Sequence, residues 1–280
     1  MKIGKRIGFM QGRLSSMVGN KIQAFPSKNW FKEFKIAKSI GISLMEWTID
    51  QKKLYKNPLL TESGRNKIKS LSKKFNIRIE SLTGDCFMQS PFWKFKNHKR
   101  QKLQRDFLNI IQASSRVGIR KIVVPLVDNG SLQNLSQQKV IIKFMKNITK
   151  ILKKNKQKIL FELDMNPKKV TNFISKFKSK HFGINYDIGN SASLGFDPQE
   201  ELVSYGKRIN NVHIKDRVYK GNSVKLGSGN ANLKKVFSLF DKIKYRGNYI
   251  LQTARAKNNK DKNHVVEIKE SLQKIKKWIQ

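Results

Sequence analysis

The strongest constraint on how this chain can fold is an alternation, in which short β-rich apolar runs are each followed by a longer amphipathic stretch. The runs are 6–11 (RIGFMQ), 43–49 (SLMEWTI), 78–84 (RIESLTG), 121–127 (KIVVPLV), 158–164 (KILFELD), 182–188 (FGINYDI), 209–215 (INNVHIK) and 249–255 (YILQTAR). Their apolar content suits strands covered on both faces, as in a parallel sheet. Between them, Leu103, Phe107, Ile110 and Ser114 recur at helical spacing, as do Ile268, Leu272, Ile275 and Ile279. Gly41 and Gly118 stand where left-handed C-caps belong, and Asn166–Pro167 and Asp197–Pro198 read as N-caps followed by a first-turn proline. No linker-like tract divides the chain, and the polar stretch 256–263 (AKNNKDKN) is short enough to be a surface connection. Eight such units without a boundary predict an α/β fold, a closed (β/α)₈ TIM barrel, as one domain over residues 1–280. An open dinucleotide-binding sheet would want a glycine fingerprint after the first strand, and GFMQGRLS is not one.

Composition narrows the class further. No apolar run reaches the roughly 18 residues of a membrane span, and the basic N-terminal segment lacks the apolar stretch of a secretory signal. A single cysteine, Cys86, forms no internal disulfide, which fits a reducing cytoplasm. The net charge of +40 comes from 59 Lys and Arg against 19 Asp and Glu, spread along the whole chain. Three readings suit it: a generally basic solvated surface, steering of anionic substrates, or polyanion binding. No segment interleaves aromatics with a basic stripe, which argues against nucleic acid as a partner.

In a barrel of this kind the active site forms at the carboxyl ends of the strands, so the polar residues there are the informative ones. In chain order they are Gln11 and Arg13, Glu46, Asp85, Asp128, Glu162 and Asp164, Asp187, His213 with Lys215, Asp216 and Arg217, then Gln252 and Arg255. An acid, an acid, a histidine and an amide on the last four strands (Glu162, Asp187, His213, Gln252) would converge on the barrel mouth. Such oxygen and imidazole donors suit one divalent ion, Mn²⁺ first, with Mg²⁺, Co²⁺ or Zn²⁺ also suited. Each has an ordinary structural explanation as well. His213 could be a hydrogen-bonded core residue, Asp187 could cap a turn, Glu46 could pair with a lysine, and Asp85 could cap the third helix. Glu162 resists that reading: it lies in the apolar run ILFEL, where an unpaired buried carboxylate costs on the order of several kcal/mol.

FELD around Glu162, INYDIGN around Asp187, NVHIKDR around His213, the LGSGN loop with Gly227 and Gly229, and GNYILQTAR at the last strand resemble the xylose isomerase-like barrel superfamily, the sugar-phosphate isomerase and epimerase group that also contains endonuclease IV. The resemblance covers nearly the whole chain. It implies a metal held at Glu162, Asp187 and His213, with a fourth ligand from the last strand that is normally glutamate. It also implies a keto sugar held through two adjacent oxygens, with the two glutamates as bases on opposite faces of an enediolate, and often a homodimer. This chain departs at the fourth position, where Gln252 stands. An amide carbonyl can still coordinate a hard cation, but an amide cannot accept a proton from carbon. Glu162 could then work alone on one face as an aldose–ketose isomerase, or Lys215, Asp216, Glu46 or Asp85 could supply the second group.

On this reading Glu162 and Gln252 are the catalytic pair. Gln11, Arg13, Glu46, Asp85, Lys215, Asp216, Arg217 and Arg255 are candidate contacts to an anionic sugar or sugar phosphate. Arg217 and Arg255 could equally form barrel-end salt bridges, and Gly227 and Gly229 could merely shape a turn. Two rivals remain. An endonuclease IV-like phosphodiesterase would need many histidines, whereas only His213 falls at a strand end; His98, His181 and His264 fall in or beside helices or loops. A non-catalytic, ligand-sensing barrel would keep the site after losing the glutamate. Three Phe and one Trp in 85–97 (DCFMQSPFWKFKN) mark that segment as a candidate lid, or else as packing on the barrel rim.

Overall fold

The structure, a computed structural model, describes residues 3–278. Its strands are β1 (Ile7–Met10), β2 (Leu44–Thr48), β3 (Arg78–Thr83), β4 (Lys121–Leu126), β5 (Lys158–Leu163), β6 (Phe182–Asp187), β7 (Ile209–Ile214) and β8 (Asn248–Leu251). Each pairs in parallel with its neighbours in sequence, and β8 pairs with β1 to close the barrel. All eight expected runs are strands, shorter than expected by up to three residues. Every residue of β2 and of β6 is buried, which is why these runs read as apolar rather than alternating.

The helices that cover the barrel are α1 (Lys32–Ser39), α2 (Glu62–Phe75), α3 (Asn97–Arg116), α4 (Leu135–Asn147), α5 (Pro167–Ser175), α6 (Pro198–Tyr205), α7 (Leu233–Lys242) and α8 (Asp261–Trp278). Local chemistry sets their ends. Asn166 accepts from the Lys169 N–H and Asp197 from the Gln199 N–H, each before a proline. Gly41 and Gly118 leave α1 and α3 at φ of 76° and 87°, a conformation that costs glycine nothing. Leu103, Phe107, Ile110 and Ser114 form the buried face of α3, and Ile268, Leu272 and Ile275 that of α8. Ile279 lies outside the described residues. Among the described residues, no helix is long and apolar enough to cross a membrane.

Of the two readings of 85–97, its aromatic rings fit packing on the barrel rim. The segment folds into a short helix, Asp85–Gln89, and a 3₁₀ turn, Phe92–Lys94. Phe92 packs edge-on against Phe107 and Phe144, while the Trp93 indole N–H donates to the Gly130 carbonyl at 3.0 Å. Both rings are 2 % exposed, so their area is spent on the rim.

Two register shifts position the site. β2 pairs Met45 with Ile79 but Glu46 with Ser81, and β6 pairs Ile184 with Ile209 but Asn185 with Asn211. The extra residues are Glu80 in β3 and Asn210 in β7. Without the second shift Asp187 would face Val212; with it, Asp187 stands beside His213. Inside the barrel the interior holds one small apolar cluster, Met10, Leu44 and Ile250. Toward the carboxyl ends it turns polar.

Candidate metal centre

Three donors meet at that end. One carboxylate oxygen each of Glu162 and Asp187 and one ring nitrogen of His213 all lie within 4.8 Å of one another, and all three side chains are buried. β5, β6 and β7 deliver them, at the positions where successive strands in register present side chains to the interior. Gln252 follows β8, its N–H donating to the Ile214 carbonyl at 3.0 Å. Its side-chain carbonyl oxygen is buried without a partner among the described residues. A buried orphan carbonyl costs free energy unless something accepts its lone pairs, and a cation would.

Asparagines hold the carboxylates. Asn185 Nδ2 donates to Glu162 Oε2 at 2.8 Å, and Asn190 Nδ2 donates to Glu162 Oε1 at 2.9 Å. Asp187 caps the short helix Ile188–Leu194, accepting from the Asn190 N–H at 2.8 Å. The capping role and the ligand position coexist, because the carboxylate has a second oxygen, 3.5 Å from Lys215 Nζ. Asn190 Oδ1 also accepts from Lys215 Nζ at 3.0 Å and from Arg217 Nη1 at 2.8 Å, tying both cations to the same helix start.

Glu46 was expected at the substrate; the structure places it behind His213, fully buried. His213 Nε2 lies 2.6 Å from Glu46 Oε1, while Nδ1 lies 3.2 Å from Glu162 Oε2. The carboxylate also accepts from Thr83 Oγ1 and, at 2.9 Å, from Asn211 Nδ2. A proton held on Nε2 by Glu46 leaves Nδ1 to face Glu162 and Asp187. This is how metal-binding histidines are commonly oriented by a carboxylate behind them. Burial alone would lower the His213 pKa, yet Glu46 and Glu162 together raise it to about 10. The same ion pair holds Glu46 below its ordinary value despite burial. A cation entering here therefore displaces a proton.

Beside these groups lies a cavity of about 240 Å³, lined in part by Arg13, Asp85, Glu162, Lys215, Arg217 and Gln252. Arg13 also donates to the Ile22 carbonyl at 2.7 Å, and burial with Arg255 nearby lowers its pKa to about 9. Asp85 has one carboxylate oxygen without a partner among the described residues; burial, then Asp50 and Glu162, raise its carboxyl to about 8. Gln11 is fully buried and its carbonyl accepts from the Thr48 N–H at 3.2 Å.

Two further expected substrate contacts are engaged elsewhere. Asp216 is fully buried, and its carboxylate accepts from the Gly227, Gly229 and Ala231 N–H groups at 2.8, 2.9 and 3.1 Å. It organises the LGSGN loop, and a Cβ at Gly229 would come within 2.2 Å of Asp216 Oδ1, so this glycine serves the turn. Arg255 spends its guanidinium on the Gly12 and Ser15 carbonyls. It shares that loop with Glu33, a buried carboxylate on α1 that accepts from Gly12, Leu14 and Ser15. The other histidines lie apart: His98 on α3, His181 against the Gln157 carbonyl, and His264 on α8 beside Asn259.

Asn185, Asn190, Asn211 and Glu33 escaped the sequence reading. Asn185 and Asn211 each stand two residues before an inward donor, and period-two alternation puts them on the same face. Asn190 and Glu33 carry no comparable signal.

The family described as Xylose isomerase-like TIM barrel matches residues 34–278. A Haemophilus influenzae protein, SgbU, assigned by name as an L-ribulose-5-phosphate 3-epimerase, is 23% identical over 279 residues, covering 94% of each chain. Among solved structures, a D-allulose 3-epimerase from Methylomonas sp. superposes with a TM-score of 0.76 at 13% identity, over 99% of this chain and 100% of that one. The 3-keto-D-glucoside 4-epimerase of E. coli gives 0.71 at 16% identity, over 96% and 99%.

Proposed function

The chain belongs to the xylose isomerase-like TIM barrel family, and from that premise we propose that it is a divalent-metal-dependent isomerase or epimerase of a ketose or ketose phosphate, with Glu162 as base. The observation that carries this reading is the convergence of Glu162, Asp187 and His213, together with a cavity lined by Glu162 and Gln252. Glu162, Asp187, His213 and the Gln252 carbonyl would hold the ion. The donor set of hard oxygens with one imidazole fits Mn²⁺ or a similar cation, and two carboxylates balance its charge. When bound, the ion supplies positive charge against the negative charge that develops on the substrate oxygens.

The remaining work falls to side chains. Asn185 and Asn190 fix the plane of the Glu162 carboxylate, so that it can take the proton from a carbon next to the ketone. Glu46 keeps His213 oriented. Arg13, Lys215 and Arg217 give the cavity a cationic side suited to a phosphate or carboxylate on the substrate. At about 240 Å³ the cavity suits a small sugar. The substrates named for the relatives, L-ribulose 5-phosphate and D-allulose, set the starting panel.

The test is calorimetric titration with Mn²⁺ followed by incubation with the panel in D₂O. One ion per chain and deuterium at the carbon beside the ketone support the reading, and Glu162→Gln should remove the exchange while the fold persists. A second reading, a ligand-sensing barrel, is favoured by the amide at position 252. It predicts binding of a panel sugar with no exchange.

A further inference from the structure

Inverting a carbon centre takes two groups: one removes a proton from one face and another delivers a proton to the opposite face. Gln252 cannot be the second group, and the structure removes two of the acids that could replace it. Glu46 is fully buried behind His213, with its acceptors taken by His213, Thr83 and Asn211. Asp216 is enclosed by three backbone N–H groups. Lys215 is held by Asp187 and Asn190. Asp85 differs from all of these. It lines the cavity with Glu162, 5 % exposed, and one of its carboxylate oxygens has no partner among the described residues. A buried carboxyl oxygen without a partner is costly for folding, so its retention at this wall asks for a reason in the chemistry. It follows β3 whereas Glu162 lies on β5, with Pro125 of β4 lining the cavity as well, so the two approach the cavity from separate strands.

We propose that Asp85 is the second proton carrier of an epimerase, a proposal that rests on the function proposed above. The Glu162 carboxylate takes the proton from the substrate carbon, and the C–H electron pair becomes the C=C bond of an enediolate as the carbonyl π pair moves onto oxygen. The Asp85 carboxylic acid then gives its proton to the other face of the same carbon. The enediolate electrons form the new C–H bond, the carbonyl re-forms, and Asp85 is left as carboxylate with Glu162 protonated. Exchange with water returns each to its starting state. Near neutral pH the raised carboxyl of Asp85 holds the proton this step needs.

The experiment separates proton exchange from inversion, using the Mn²⁺-loaded protein in D₂O with L-ribulose 5-phosphate and D-allulose, followed by NMR. Wild type should gain deuterium and invert. Asp85→Asn should still wash deuterium into the starting ketose from the Glu162 face, while inversion falls by about 100-fold or more. Glu162→Gln should lose both. The Asp85→Asn protein should bind Mn²⁺ as wild type does and melt no lower, which separates the loss from misfolding. Inversion by Asp85→Asn at the wild-type rate overturns the proposal. So does an aldose product from wild type, which would show one carboxylate working on one face. A wild type that binds Mn²⁺ but neither exchanges nor inverts sinks the Glu162 reading itself, and this proposal with it.

Discussion

Replacing Glu46 by glutamine tests whether His213 is a ligand oriented from behind or a core residue that happens to lie near two acids. The carboxylate accepts from three donors: His213 Nε2, Thr83 Oγ1 and Asn211 Nδ2. An amide offers one acceptor oxygen and two N–H donors, so at least one of the three donors must face an N–H group. Leaving a buried donor unsatisfied costs about 1–3 kcal/mol. For a chain of this size that is a fall in Tm of roughly 2–4 °C per kcal/mol. The more specific effect is on the metal. Outer partners of a metal-bound histidine are worth about 10–100-fold in affinity, so Glu46→Gln should weaken Mn²⁺ binding by that factor. The His213 pKa should also drop from about 10, because Glu46 is the leading cause of its elevation. Calorimetry in buffers of different ionisation enthalpy counts the protons released on Mn²⁺ binding. Wild type should release about one per chain near pH 8, and Glu46→Gln clearly fewer. Lowered Tm with unchanged affinity and proton release would refute the role of Glu46 as orienter and leave it structural.

Asp216→Ala strips the acceptor from three loop N–H groups and should cost about 2–4 kcal/mol. Proteolysis should concentrate in 226–231, and unchanged Tm would contradict the organising role. Asp85 keeps its proton to about pH 8 when folded, against an ordinary value of 3.8. Its burial therefore costs stability increasingly as pH rises from about 4 to 8. Asp85→Asn should flatten that decline and raise Tm most at about pH 8 and above, and a parallel pH profile for the two proteins would count against it. Trp93→Ala should lose about 3–5 kcal/mol as a core deletion, with Mn²⁺ affinity close to wild type. A stable variant with altered ligand affinity would favour the lid.

The barrel was legible because its strands are buried on both faces and its helices are punctuated by caps that act locally, as at Asn166, Asp197, Gly41 and Gly118. The last strand is shorter than its apolar run: it ends at Leu251, after which the Gln252 N–H continues the pairing, with Ile214. The convergence of Glu162, Asp187 and His213 could be anticipated from strand-end position, but its register could not. That register depends on the extra residue Asn210, which nothing in the local pattern announces. Strand-end position also says nothing about depth. Glu46 and Asp216 both stand near the right end of a strand, yet one sinks behind the histidine and the other turns into its own loop. The aromatic run at 85–97 leaves lid and rim packing open for a similar reason, since loop composition does not show that α3 and α4 supply partners for its rings.

The most direct measurement is a crystal structure of the protein grown with Mn²⁺, with an anomalous difference map calculated at a wavelength sensitive to manganese. The predicted result is one strong peak per chain, about 2.0–2.4 Å from an oxygen of Glu162, an oxygen of Asp187, His213 Nδ1 and Gln252 Oε1. A peak elsewhere, or none at saturating Mn²⁺, would contradict the account.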